Sequence, residues 1–141
     1  MTLAAALDLP EVVEVEMTEA AIMSGTACDQ DNCPLAILLS IRFPGKCVRV
    51  NNGVFIYESE SDEEADDPLG EYRMDSMTEA FIKSFDNSLE QVAQEALLAD
   101  LPVNQDDMRD ARLTLVEKWV GKKFLFTRLW RNHGRSPLLA T

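Results

Sequence analysis

The segment EVVEVEMT, residues 11–18, places Val13, Val15 and Met17 on one side and Glu14 and Glu16 on the other. Such alternation predicts a half-buried strand. Thr18 then stands where a helix cap is wanted, Glu19 follows at the positive helix end, and Gly25 can close the turn, so a short helix is expected over 19–24. A polar stretch over 26–32 leads to Pro34, whose missing N–H suits a first helical position. The run over 35–43 is apolar on nearly all sides, which predicts a deeply buried helix.

After the turn signal PGK, the segments CVRV and VFIYES flank Asn51, Asn52 and Gly53. This reads as a β-hairpin whose turn residues tolerate positive φ. Residues 58–70, ESESDEEADDPLG, offer no large apolar side chain until Leu69 and read as a loop or disordered insertion. Helices follow. SMTE at Ser76 and SLEQ at Ser88 both match a capping box, with a bend expected near Asp86 and Asn87. Phe81, Phe85, Leu89, Val92 and Ala96 form the inward stripe. Asn104 is the next expected cap, with Val103 and Met108 spaced as a hydrophobic staple. Met108, Ala111, Leu115 and Trp119 line one face of that helix, and Gly121 ends it. KKFLFTRLW returns to alternation, with Phe124, Phe126, Arg128 and Trp130 on one side, before a tail from about 132 that reads as mobile.

Strand, helices, hairpin, helices and strand in this order predict an α+β fold, a small, mainly antiparallel sheet with helices packed on one face. At 141 residues one domain over 1–141 is expected, large enough to fold without disulfide or metal. Charge changes the picture more. The chain carries 25 acids against 13 bases, a net −12, which disfavours polyanions and anionic membranes as partners. The imbalance is uneven: residues 1–100 sum to −16 and residues 111–141 to +6. These halves either serve different partners or pair with each other.

MTLAAALDLP lacks a basic n-region and holds Asp8, unlike a signal peptide, and no apolar run reaches the ~18 residues of a membrane span. With three cysteines, an odd number, a cytoplasmic location is expected. Cys28 and Cys33, with four residues between them, could pair with Cys47 and His133 in a zinc site, but there is no second cysteine pair. The simpler reading makes Cys33 a buried small hydrophobe and places Cys47 on the core face of a strand. His133, the single histidine, falls in the tail, an unsuitable place for a general base. DQD and SDEEADD match no calcium-loop pattern, and GKK lacks the glycine and hydroxyl residue of a phosphate loop. No cofactor is expected.

Two charged stretches remain as candidate contacts. Glu58, Glu60, Asp62, Glu63, Glu64, Asp66 and Asp67 could occupy a basic groove on another protein. Lys122, Lys123, Arg128 and Arg131, interleaved with aromatics, could contact phosphates and bases, against the repulsion of the remaining chain.

NCPLAILLSIR followed by CVRVNNGVFIY, with AFIKSFD further on, resembles small proteins of bacteriophages and some actinobacteria. In those, a loop cysteine, Pro, a hydrophobic residue and Ala–Leu open a helix before a hairpin. The resemblance covers about residues 12–86; Ile37 and Leu38 depart from the pattern, as do the long acidic loop and the helices after Asp86. That family has no assigned activity, so the resemblance implies a context and a fold but no site. The expectation is a non-enzymatic binding protein of phage or mobile-element type in the host cytoplasm. It would engage a host protein with a basic surface, in the sharpest form as an acidic, anti-defence inhibitor of a nucleic-acid-handling factor. The alternatives are a ligand or nucleic-acid binder using the basic segment and a zinc- or thiol-containing regulator; homo-oligomerisation stays open.

Overall fold

A computed structural model describes residues 9–58 and 68–129. Among the described residues five strands form one antiparallel sheet: β1 (Val12–Glu16), β2 (Cys47–Val50), β3 (Val54–Tyr57), β4 (Gly70–Met74) and β5 (Lys123–Leu129), in the order β1-β5-β4-β3-β2. The helices are α1 (Glu19–Ser24), α2 (Pro34–Arg42), α3 (Ser76–Leu98) and α4 (Gln105–Trp119). The fold is a small α+β fold, as the order of elements predicts.

Register explains the core. Val13 and Val15 oppose Phe126 and Phe124, Met74 also opposes Phe126, Tyr72 opposes Val54, and Val48 and Val50 oppose Ile56 and Val54. All these side chains are buried on one sheet face, beneath Phe81, Phe85 and Leu89 of α3, Leu115 and Trp119 of α4, and Leu35 and Leu39 of α2. Phe81 is the aromatic hub: its ring centroid lies 5.8 Å from Phe85, 5.3 Å from Trp119 and 5.5 Å from Phe124. At one end of the sheet, residues 9–11 cross the core edge. Arg128 donates to the Leu9 carbonyl (2.6 Å), and the Tyr72 hydroxyl donates to that of Pro10 (2.6 Å).

Thr18 caps α1 through the Ala21 N–H (3.1 Å). Gly25 follows, and a Cβ there would lie 2.6 Å from the Pro34 ring, so close packing requires the glycine. Asn104 caps α4, accepting from the N–H groups of Asp106 and Asp107. Gly121 ends that helix at φ +88, a conformation that favours glycine.

Several expectations are corrected. β4, a central strand, begins at Gly70 within the supposed loop; Glu71 and Arg73 alternate outward while Tyr72 and Met74 turn inward. The expected loop over 58–70 otherwise lies mostly outside the described residues, as does the tail with Trp130. α3 is one continuous helix from Ser76 to Leu98. Its cap is Asp75 rather than Ser76, because the Asp75 carboxylate reaches both the Thr78 N–H (2.8 Å) and the Thr78 hydroxyl. Ser88 is mid-helix. α2 is less enclosed than its composition suggests: Leu35, Ala36 and Leu39 are buried, but Ile41 is 71% exposed. In the hairpin, neither asparagine nor Gly53 takes a positive φ. Cys47 alternates with core residues Val48 and Val50 and therefore faces away from the core.

Candidate functional site

Two places could bear function, the mouth of α2 and the far end of the α3–α4 hairpin. At the first, Cys28 stands in the left-handed region (φ 58), held by contacts to α3. Its N–H donates to Asp86 (3.0 Å) and its thiol to Glu90 (2.6 Å). The bond to Glu90 first, then burial and the negative charge of Asp86 and Glu90, push the thiol pKa up to about 11. Cys33 precedes α2 and is pushed up to about 11, chiefly by burial, against hydrogen bonds from the Ala36 and Leu35 N–H groups. Both thiols are therefore protonated at neutral pH, the opposite of an activated nucleophile. Asp29 accepts from the N–H groups of Asp31 and Asn32 (both 3.0 Å), and these bonds, with the Asn32 side chain, hold it below its ordinary value. Burial raises Asp86 instead. A cavity of about 170 Å³ lies between these groups, with Val50 and Ile82 on its wall.

Among the described residues no three His, Cys, Asp or Glu side chains are arranged to hold a metal ion. Of the candidate ligands, Cys28 and Cys33 share this cavity, Cys47 is half-buried on the outer sheet face, and His133 lies outside the described residues. This arrangement locks a loop against a helix: the Cys28 thiol rests on Glu90, and that contact holds it protonated rather than favouring the thiolate.

Of the acidic candidates, Glu58 pairs with Lys46 (3.0 Å). Glu60, Asp62, Glu63, Glu64, Asp66 and Asp67 lie outside the described residues. Of the basic candidates, Lys122 and Lys123 are exposed where α4 turns into β5, whereas Arg128 is half-buried on the Leu9 carbonyl. Arg131 lies outside the described residues. Phe124 and Phe126, which could have stacked on bases, are fully buried in the core.

The second place was not foreseen. No residue from Glu90 to Thr114 is buried; Met108 and Ala111 of α4 still pack against the core, and beyond them the ends of α3 and α4 and their connection form an arm. The helical rise carries Leu98 roughly 14 Å beyond Leu89, the last buried residue of α3. Val92, Glu95 and Ala111 help line a groove of about 250 Å³ between the two helices. At the tip Leu97, Leu98 and Leu101 are 74%, 83% and 65% exposed. Residues 90–111 hold six acids and one base. The signal was present in ALLADLPV: Leu97 and Leu98 follow the inward stripe but fall off its spacing. At the arm's root Arg112 donates to the carbonyls of Ile22 and Gly25 (both 2.7 Å), supplying the cation that the last turn of α1 lacks.

No family model, curated protein or solved structure matches the chain. Among the described residues no helix is long and apolar enough to cross a membrane.

Proposed function

We propose that this chain is a non-enzymatic binding protein of phage or mobile-element type that engages a host protein through negative surface. In its sharpest form it is an inhibitor of a nucleic-acid-handling or defence factor. The supporting observation is surface charge that the fold leaves unneutralised. Lys46 meets Glu58 and Arg49 approaches Asp31, but the arm's six acids join no ion pair among the described residues. Exposed charge of one sign adds little to folding, whereas it steers association with a basic surface and rejects wrong partners.

Co-purification from the native host would name the partner, and titration with the purified partner then tests the charge. Lysine at Glu58, Glu60, Asp62 and Glu63 together is expected to weaken association and flatten its salt dependence. An affinity unchanged by these four reversals rejects this acidic segment as the contact. Tight, steeply salt-dependent binding of an oligonucleotide by the free chain would favour a nucleic-acid binder instead.

A further inference from the structure

We propose that the tip of the α3–α4 arm is a docking surface for a basic amphipathic helix of a partner protein. This rests on the binding reading above and deepens it by naming the contact and the partner's chemistry. The apolar patch is Leu97, Leu98, Leu101 and Val103, and none of the four is buried. Their backbone is fixed by a closed helix end: the Asp100 N–H donates to the Leu97 carbonyl (3.1 Å) and the Leu101 N–H to that of Ala96 (2.9 Å). This is the Schellman pattern, so the leucines project from an ordered turn and are pre-organised for contact.

Charge and size together select the occupant. Glu95 lies one turn before Leu98, Asp100 sits within the patch, and Asp106, Asp107 and Asp110 follow on the first turns of α4, against Arg109 alone. An apolar segment with acids before, within and after it in the chain complements one flanked by Lys and Arg. A second copy would bring the same acidic segments against each other. The four apolar side chains also fall well short of the roughly 20–30 residues per side of a standard interface. Helix recognition, in contrast, works through a few apolar anchors at spacings of three and four residues.

The probe is a synthetic amphipathic helix of leucine and lysine, about four turns long, titrated into the full-length chain beside a leucine–glutamate counterpart. The leucine–lysine peptide is expected to bind, more weakly as salt rises, and the counterpart not to bind. Leu98→Ser with Leu101→Ser should weaken binding at least tenfold without moving the thermal midpoint. Asp106→Lys with Asp107→Lys should weaken it and lower its salt dependence while leaving the apolar tip intact. Equal binding by wild type and the Leu98/Leu101 variant overturns the proposal. If that residual binding vanishes on charge reversal at Glu58 and its neighbours, the acidic binding reading stands and only the arm assignment falls. Absence of leucine–lysine binding at low salt counts against both. A wild-type dimer in sedimentation that the leucine substitutions dissolve also overturns the proposal, because a second copy then occupies the tip.

Discussion

Phe81 and Leu98 lie on the same helix, yet one is 1% exposed and the other 83%. The first half of α3 belongs to the body, where three other aromatic rings surround Phe81 and the sheet supplies a floor. The second half belongs to the arm, which has a partner helix and only Met108 and Ala111 of that helix reaching back to the core. In the body every large apolar residue of the stripe is accounted for by packing. At the arm tip, apolar residues are placed where the isolated chain gains nothing from them. One helix therefore has two surroundings, and the boundary falls just after Leu89, near the Cys28 contacts to Asp86 and Glu90.

The strongest way to break this contrast is to truncate one side chain in each region. Phe81→Ala removes the hub of the aromatic cluster and is expected to cost about 3–5 kcal/mol in urea unfolding. Leu98→Ala should stay within about 0.5 kcal/mol, as surface changes do. If Leu98→Ala instead cost about 2 kcal/mol, the arm would be packed against something in the free protein and the contrast would collapse.

Much of the body was legible because it obeys periodicity. The alternation of β1 and β5, the hairpin, the Thr18 and Asn104 caps and the stripe on α3 all follow from local spacing. β4 escapes a reading by periodicity because GEYRM opens on a glycine and adjoins the acidic stretch, although Tyr72 and Met74 alternate correctly. The cap of α3 was misplaced by one residue because Ser76 and Asp75 both offer an oxygen, and only geometry selects the carboxylate. The face of Cys47 follows from alternation within CVRV, where Val48 and Val50 take the core side and leave Cys47 with Arg49 on the other, so the small apolar character of a cysteine is a poorer guide than its place in the strand. The arm is legible only in Leu97 and Leu98 falling off the stripe, and its extent is not. Spacing says which residues of a helix share a face, but not how far the body extends beneath it.

Asp86 sharpens the border between the two regions. Burial raises its pKa above the ordinary 3.8, with Glu90 adding repulsion and the Cys28 N–H acting in the opposite sense. Between the ordinary and the raised value the folded state binds more protons, so stability falls as pH rises through the folded pKa, and the charge is unfavourable above it. Asp86→Asn keeps an oxygen for the Cys28 N–H and removes the charge. It should stabilise the protein by up to about 0.5 kcal/mol at neutral pH. Denaturant unfolding against pH should show the gain shrinking as pH falls through the raised pKa. A gain that grows on acidification would show that burial of this charge is not its cause.

The smallest expected effect tests whether the arm's own end is set locally. Asp100 takes the left-handed conformation (φ 55) at the closure of α3, a position usually given to glycine. Aspartate tolerates this region better than most residues, yet its Cβ still crowds the backbone. Asp100→Gly relieves that strain while giving the unfolded chain more freedom, and the two effects oppose. A net gain of about 0.3 kcal/mol is expected, with the leucines still displayed. In the arm no buried neighbour holds this turn, so backbone preference alone should decide the sign. A loss on Asp100→Gly would mean that the aspartate side chain holds the tip together, and the arm would then have a small structure of its own to account for.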